Sequence, residues 1–172
     1  MMTLAQLVQI MPYARSRASV FLQPLNAAML EFGINTPARQ ASFLAQVGHE
    51  SGQLLYVREL ASGQAYEGRA DLGNTQPGDG VRFKGRGLLQ VTGRANYTAC
   101  GKALGLDLLA KPELLEQVVL ACRSAGWFWQ MRGLNALADT GNQVKVSQRI
   151  NGGSNGLAAR LGLFEVAQRV LA

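Results

Sequence analysis

The sequence predicts a mainly α-helical domain with a glycine-rich loop at one side of a cleft. Apolar residues recur at helical spacing through most of the 172-residue chain, and residues typical of helix starts and ends flank these segments. Turn-forming residues are concentrated between positions 62 and 87. With 48% hydrophobic and 16% charged residues, the chain can bury a sizeable core. We therefore expect one domain over residues 1–172.

Three helices are expected in the first 50 residues. Thr3 is a plausible N-cap for a short first helix. Helical spacing predicts a second helix over about residues 18–32. Thr36 and Pro37 form an N-cap and first-turn pair that opens a third helix, which ends near Glu50.

The glycine-rich segment at 62–87 is expected to be a long loop with at most a small hairpin. A loop of this length inside a compact domain is usually functional. Helical spacing returns after it, and the expected helices cover residues 88–104, 112–129, 143–150 and 157–171.

The charge balance favours an anionic partner without identifying it. The formal net charge is +6 and the isoelectric point is about 9.8. No run of five basic residues occurs, so a nucleic-acid partner is not expected. No apolar run approaches the roughly 20 residues that a membrane span needs, so stable membrane insertion is not expected either.

Two acids stand close together in a chain that has only 11 Asp and Glu residues. Glu50 lies in the sequence GHESG at 48–52, and Glu59 follows nine residues later. A pair of carboxyl groups is the minimum that glycoside hydrolysis requires. Nine residues of continuous helix turn about 900° and place the two on opposite faces, so the chain must fold back after Ser51. From spacing alone, a surface ion pair between Glu59 and a nearby arginine remains an open alternative.

Other catalytic classes lack essential residues. His49 is the only histidine, and a zinc-protease motif would need a second one at Gln53. Cys100 and Cys122 are predicted to be buried thiols rather than metal ligands. The sequence GGSNG at 152–156 has no histidine after its serine, as a hydrolase triad of that type requires. We therefore expect no metal and no cofactor.

Four segments follow one another in a specific order. They read FLAQVGHESG at 43–52, FKGRGLLQVTGRANY at 83–97, AGWFW with GLN at 125–135, and INGG with RLG at 150–162. Together they resemble glycoside hydrolase family 19 over about residues 40–165. The resemblance implies a lysozyme-like, two-lobed helical fold around a glycan cleft, with hydrolysis that inverts the anomeric carbon.

The resemblance also implies roles for individual residues. Glu50 is expected to be the general acid and Glu59 the general base, with Glu67 as the main rival for the base. Thr92 is expected to help hold the attacking water. The expected substrate-binding or cleft-ordering residues are His49, Tyr66, Gln90, Asn96, Asn151 and Arg160. Arg160 corresponds to an arginine near the acid, but Asn155 stands where plant members carry an acidic residue, which puts an acid–arginine–acid network in doubt.

We expect an endolysin-type, muramidase-like glycosidase of phage origin that hydrolyses β-1,4 bonds of peptidoglycan. One alternative is a chitinase that acts on N-acetylglucosamine polymers, and another is a non-catalytic glycan-binding wall protein. Residues 1–11 lack the basic start of a secretion signal. We therefore expect a protein that is made in the host cytoplasm and acts on the cell wall in the periplasm after release. We also expect it to be a monomer.

Overall fold

The computed structural model describes residues 1–172 and contains nine α-helices and no β-sheet. The helices are α1 (Leu4–Ile10), α2 (Arg15–Glu31), α3 (Pro37–Glu50), α4 (Asp79–Arg82), α5 (Arg94–Leu104), α6 (Val118–Met131), α7 (Leu134–Asp139), α8 (Gln143–Asn151) and α9 (Leu157–Leu171). The predicted mainly α-helical class is therefore confirmed. Extended pairing is limited to two isolated antiparallel bridges, in which Arg86 faces Arg58 and Val91.

Local capping explains why several helix starts were predictable. The side chain of Thr3 accepts a hydrogen bond from the Gln6 amide, and Gln6 returns one to the Thr3 amide. The Thr36 side chain accepts from the Arg39 amide, and Pro37 occupies the first turn of α3. Helices α8 and α9 also begin where the sequence predicts them.

The segment before α5 differs from the prediction. The expected helix over 88–104 begins only at Arg94, because residues 86–93 form the bridges and turns of the cleft wall. Gly87, Gln90 and Gly93 all have positive φ angles, which a right-handed helix does not contain. These residues therefore line the cleft, although their spacing in the sequence is that of a helix.

Two further differences lie in the C-terminal half. The helix expected from residue 112 begins at Val118, because Pro112–Glu116 form a 3₁₀ helix first. Helix α7 was not predicted. In α2 the observed start is Arg15, and the helix continues through Pro24.

Helix α3 lies at the centre of the fold. Eight consecutive residues, 41–48, are buried, which is typical of a helix that is surrounded on all sides. It packs along α9 and also contacts α7 and α8. The Phe43 ring meets Trp129 of α6 edge-on, with 5.4 Å between the ring centroids. This packing fixes where the C-terminal end of α3 leaves the core.

Both cysteines are free and buried, as predicted. Burial raises the pKa of the Cys100 thiol to about 12 and also raises the pKa of Cys122. Neither thiol is therefore reactive near neutral pH. None of the nine helices has the length and apolar character that crossing a membrane requires.

Candidate active site

A cavity of about 280 Å³ opens between the end of α3, the segment before α5, and helices α6 and α8. Its lining residues are Glu50, Leu72, Leu89, Gln90, Val91, Thr92, Asn96, Trp127, Phe128, Arg132, Ile150 and Asn151. Five of the nine predicted site residues are among them: Glu50, Gln90, Thr92, Asn96 and Asn151. The other four, His49, Glu59, Tyr66 and Arg160, are not among the lining residues.

Glu50 is the last residue of α3 and is anchored through one oxygen. Its Oε1 accepts a hydrogen bond from Arg160 Nη2 at 2.5 Å, and its Oε2 has no hydrogen-bond partner in the protein. The Arg160 side chain is only 3% exposed, whereas that of Glu50 is 24% exposed. The core therefore holds one side of the carboxyl group and leaves the other side to the cavity.

Arg160 has two further hydrogen bonds that keep it in place. Its Nη1 donates to Gln46 Oε1, and its Nε donates to the main-chain oxygen of Asn155 at 3.3 Å. The Asn151 side chain donates to the same oxygen at 2.8 Å. Only one carboxylate, that of Glu50, takes part. The acid–arginine–acid network is thus replaced by one acid, one amide and one carbonyl.

His49 precedes the acid at the end of α3. Its ring packs on Gly156, where an added Cβ would lie 2.3 Å from both Cε1 and Nε2. Burial lowers the pKa of His49, and the nearby Arg160 lowers it further, while Glu50 opposes both effects. His49 is therefore a neutral packing neighbour of the acid and does not line the cavity.

The backbone turns back sharply between the two acids. Residues 52–54 all have positive φ, including Gln53 at 56° and Leu54 at 67°. Ser51 holds this strained turn, because its hydroxyl donates to Val47 O at 2.6 Å and accepts from the Leu54 amide at 2.8 Å. The fold-back after Ser51 that the acid spacing requires is present.

Glu59 lies on irregular backbone and is held through both carboxylate oxygens. Oε1 accepts from the Gly85 amide at 2.7 Å, and Oε2 accepts from the Tyr66 hydroxyl at 2.9 Å. The Glu59 amide donates in turn to Gly85 O at 2.9 Å. Burial and the bond to Glu59 raise the pKa of Tyr66, so its hydroxyl remains a donor.

Gly85 connects Glu59 to the cavity wall. A Cβ at Gly85 would lie 2.1 Å from Gln90 Oε1 and 3.2 Å from Thr92 Oγ1. Only glycine therefore allows the backbone that binds Glu59 to touch two cavity-lining side chains. Gln90 itself has a φ of 58°, a strained value for a residue with a side chain. The Asn96 side chain donates to Thr92 O at 2.7 Å and completes this polar wall.

Glu67, the main rival for the role of base, is bound within the glycine-rich loop. Both oxygens of Glu67 accept loop amides, from Gly78 at 2.7 Å and from Gly80 at 2.8 Å. Glu59 forms no surface ion pair: Arg58 binds Glu116, and Arg69 binds Asp71. The ion-pair interpretation of Glu59 is wrong.

The aromatic cluster of α6 serves both the core and the cavity. Trp127, Phe128 and Trp129 are all buried, yet the first two line the cavity. Trp129 points into the core and donates from Nε1 to Asn135. Arg132, one turn beyond Phe128, was not predicted. A spacing of four residues from a cavity aromatic is the signal that indicates its position.

Comparison with known proteins identifies the family. Residues 33–168 match the glycoside hydrolase family 19 model, which is described as "Chitinase class I". The chain belongs to glycoside hydrolase family 19. The predicted family is thus confirmed, and the protein is a glycoside hydrolase.

Individual family 19 relatives extend this likeness over most of the chain. A Haemophilus influenzae protein described as a glycosyl hydrolase family 19 domain-containing protein is 32% identical, over 83% of this chain and 84% of its own. An Arabidopsis thaliana endochitinase is 34% identical over 72% of this chain, which spans only 49% of that enzyme.

Solved family 19 structures share the fold. The crystal structure of a bacterial family 19 chitinase superposes with a TM-score of 0.78 and 28% identity, and it covers 99% of this chain and 94% of its own. Chitinase C from Streptomyces griseus gives a TM-score of 0.78 with 26% identity over 98% of this chain and 76% of its own. The lysozyme-like helical fold that the resemblance implied is confirmed.

Proposed function

We propose that this family 19 enzyme hydrolyses the β-1,4 bonds of peptidoglycan with inversion, using Glu50 as general acid and Glu59 as general base. The observation that carries the acid and base roles is the contrast between the two carboxyl groups. One oxygen of Glu50 is free toward the cavity, whereas both oxygens of Glu59 are held by donors. Two carboxyl groups in unlike surroundings are what separate acid and base roles require.

The acid step uses the free oxygen of Glu50. Arg160 fixes Oε1, so the proton is carried on Oε2, which faces the cavity. Transfer of that proton to the glycosidic oxygen lets the leaving sugar depart as an alcohol. The ion pair keeps the carboxyl group oriented while the charge on it changes.

The base step uses Glu59 and the polar side of the cavity that Gly85 connects to it. Each carboxylate oxygen has two lone pairs, so Glu59 can accept a proton from water while it keeps the bonds to Tyr66 and Gly85. We assign the holding of that water to Thr92 Oγ1, which lies on the same side of the cavity, near Gly85. Attack from the face opposite the leaving group inverts the anomeric carbon, which needs carboxyl groups about 6.5–9.5 Å apart.

The remaining lining suits an N-acetylated sugar. Gln90, Asn96 and Asn151 supply amides that can pair with hydroxyl and acetamido groups, and Trp127 supplies an apolar surface. This set fits both N-acetylglucosamine and its lactyl ether, N-acetylmuramic acid. The sugar-binding amides alone therefore do not distinguish the two glycans.

The charge of the protein favours peptidoglycan as the substrate. The chain carries a net charge of +6, and a wall that carries carboxylates attracts such a protein at low ionic strength. We propose that it acts on the cell wall in the periplasm, in the manner of an endolysin. A chitinase is the second candidate, because several relatives are described as endochitinases.

The test compares two substrates and one inactive variant. Turbidity loss of Gram-negative cells with a permeabilised outer membrane is measured beside product release from colloidal chitin, with Glu50→Gln as the control. Clearing that needs Glu50, with little chitin release, supports a peptidoglycan hydrolase. Chitin release without clearing assigns the enzyme to chitin, and neither activity assigns the cleft to glycan binding without turnover. An initial β-anomer product would contradict inversion.

A further inference from the structure

Arg132 is a cation in the cleft whose side chain has no anionic partner. It lines the same cavity as Glu50, and no carboxylate lies within ion-pair distance of it. The other arginine at the site, Arg160, is bound to Glu50. Arg132 is therefore the one charged residue of the cavity lining without an oppositely charged partner.

The position of the Arg132 guanidinium group is fixed by neighbours that leave its Nη2 unused. The Cζ atom lies 4.4 Å from the centroid of the Phe128 ring. Nη1 donates to Arg149 O at 2.9 Å. Nε is shielded from solvent and has no acceptor, and Nη2 forms no hydrogen bond. Nη2 is not shielded in this way, so it is the group that can donate a charge-assisted hydrogen bond to a carboxylate oxygen of a ligand.

This arrangement is costly unless a ligand completes it. Burial together with the nearby Arg149 lowers the pKa of Arg132, because its positive charge has no compensating anion. Chitin, a neutral polymer of N-acetylglucosamine, offers no anion to such a group. Peptidoglycan carries carboxylates close to its sugars.

We propose that Arg132 is a specificity-determining residue that binds a carboxylate of the glycan substrate through Nη2. This inference rests on the proposed function for its biological substrate, since a wall glycan is what supplies the carboxylate. Two sources share the chemistry: the lactyl carboxylate of muramic acid in strands without stem peptides, and the carboxylates of the stem peptides. With Glu50 protonated for catalysis, Arg160 and Arg132 give the site a positive charge that favours either one.

Substrates that differ only in charge test the proposal. The rates compared are those on intact peptidoglycan, on strands freed of peptides by an amidase, and on the same strands with methyl-esterified lactyl groups. We expect Arg132→Gln to lower kcat/KM on the carboxylated substrate about tenfold or more relative to the esterified one. If Arg132→Gln loses the preference for carboxylated substrate only on peptide-free strands, the lactyl group is the ligand. If it loses that preference only on intact peptidoglycan, the stem peptide is the ligand.

Matched variants separate recognition from net charge and from packing. Arg169→Gln, on an exposed residue of α9 away from the cavity, makes the same charge change and is expected to preserve the preference. Arg132→Lys keeps the charge but loses the planar guanidinium group that Phe128 and Arg149 hold in place, so an intermediate preference is expected. If Arg132→Gln lowers all rates by the same factor, or changes none of them, the residue has no role in recognition and the proposal is wrong.

A binding measurement keeps this test independent of the natural substrate. In the Glu50→Gln background, dissociation constants are measured for N-acetylglucosamine hexamer and for carboxymethylated chitin oligomers of the same length. Tighter binding of the carboxylated ligand that disappears with Arg132→Gln supports the anion site even if the wild-type enzyme cleaves only chitin. Equal affinity for both ligands overturns it even if the enzyme degrades peptidoglycan.

Discussion

The two carboxyl groups of the site are held by different kinds of structure. Glu50 ends a helix that is buried along most of its length, and a buried arginine anchors it from the core side. Glu59 lies on irregular backbone, and its anchors are a loop tyrosine and the amide of one glycine. The acid thus depends on packing and on an ion pair, whereas the base depends on backbone geometry. Different substitutions are expected to disable the two.

The largest expected effect comes from removing the base itself. Glu59→Gln keeps the shape of the side chain but removes its ability to take a proton, so kcat should fall by about 10²–10⁴. The measurement is the initial rate on whichever glycan the wild-type enzyme cleaves.

Glu67→Gln is the matched control for the Glu59 prediction. It removes a loop carboxylate of the same type that binds two amides rather than the cavity wall. We expect it to lower the melting temperature while keeping most of the activity. A Glu67 variant that is as inactive as the Glu59 variant would transfer the role of base to Glu67.

Removing the anchor of the acid should affect stability as well as activity. Arg160→Gln leaves Glu50 Oε1 and Gln46 Oε1 without their donor in a buried place. Breaking a buried ion pair in this way lowers the free energy of unfolding by about 3–5 kcal/mol. Urea denaturation followed by circular dichroism measures this loss.

The half-exposed pair of Arg123 and Glu31 provides the comparison for Arg160. Arg123→Gln removes an arginine from an ion pair of similar length but is expected to cost clearly less, because water replaces the lost contact. Equal losses in the two variants would mean that Glu50 is not anchored from the core.

The support of the base can be broken without changing any charge. In Gly85→Ala the new Cβ would collide with Gln90 Oε1, so the wall must move and the amide bound to Glu59 must move with it. We expect at least a tenfold loss of kcat, since small displacements at a reacting centre are costly. Gly162→Ala in α9 is the matched control, because nothing lies within 4 Å of its added Cβ. It should keep full activity and raise stability slightly.

The same contrast explains what could be predicted from the sequence. The third helix and Glu50 at its end were predictable because Thr36 and Pro37 mark its start locally. Residues 88–93 were assigned wrongly to a helix. Their helical spacing is overridden by the bridge between Arg86 and Val91 and by the left-handed backbone of Gln90. The same segment is also held by partners far away in the chain, since Arg86 is bridged to Arg58 and the Leu88 amide donates to Ala121 O.

The site residues follow the same division. Gln90, Thr92, Asn96 and Asn151 were assigned from the family resemblance, and all four line the cavity. Arg132 was missed because its surroundings form only when the end of α6 packs beside α8, where it meets the carbonyl of Arg149. The sequence around Arg132 does not show that this residue lacks a carboxylate partner in the folded protein. An unpaired cation in a cleft becomes visible only once the fold is known.

The smallest expected effect concerns His49, the neutral neighbour of the acid. Its pKa is lowered in the folded protein, whereas the unfolded chain takes up a proton near the ordinary value of about 6.5. Stability from this residue is therefore fully present above that pH and is lost as the pH falls below it.

Because His49 is the only histidine, the change in unfolding free energy between about pH 7 and about pH 5.5 reports mainly on it. His49→Gln should flatten that change, and an unaltered slope would show that the ring accepts a proton in the folded protein as readily as in the unfolded chain. The packing of His49 on Gly156 would then not keep it neutral.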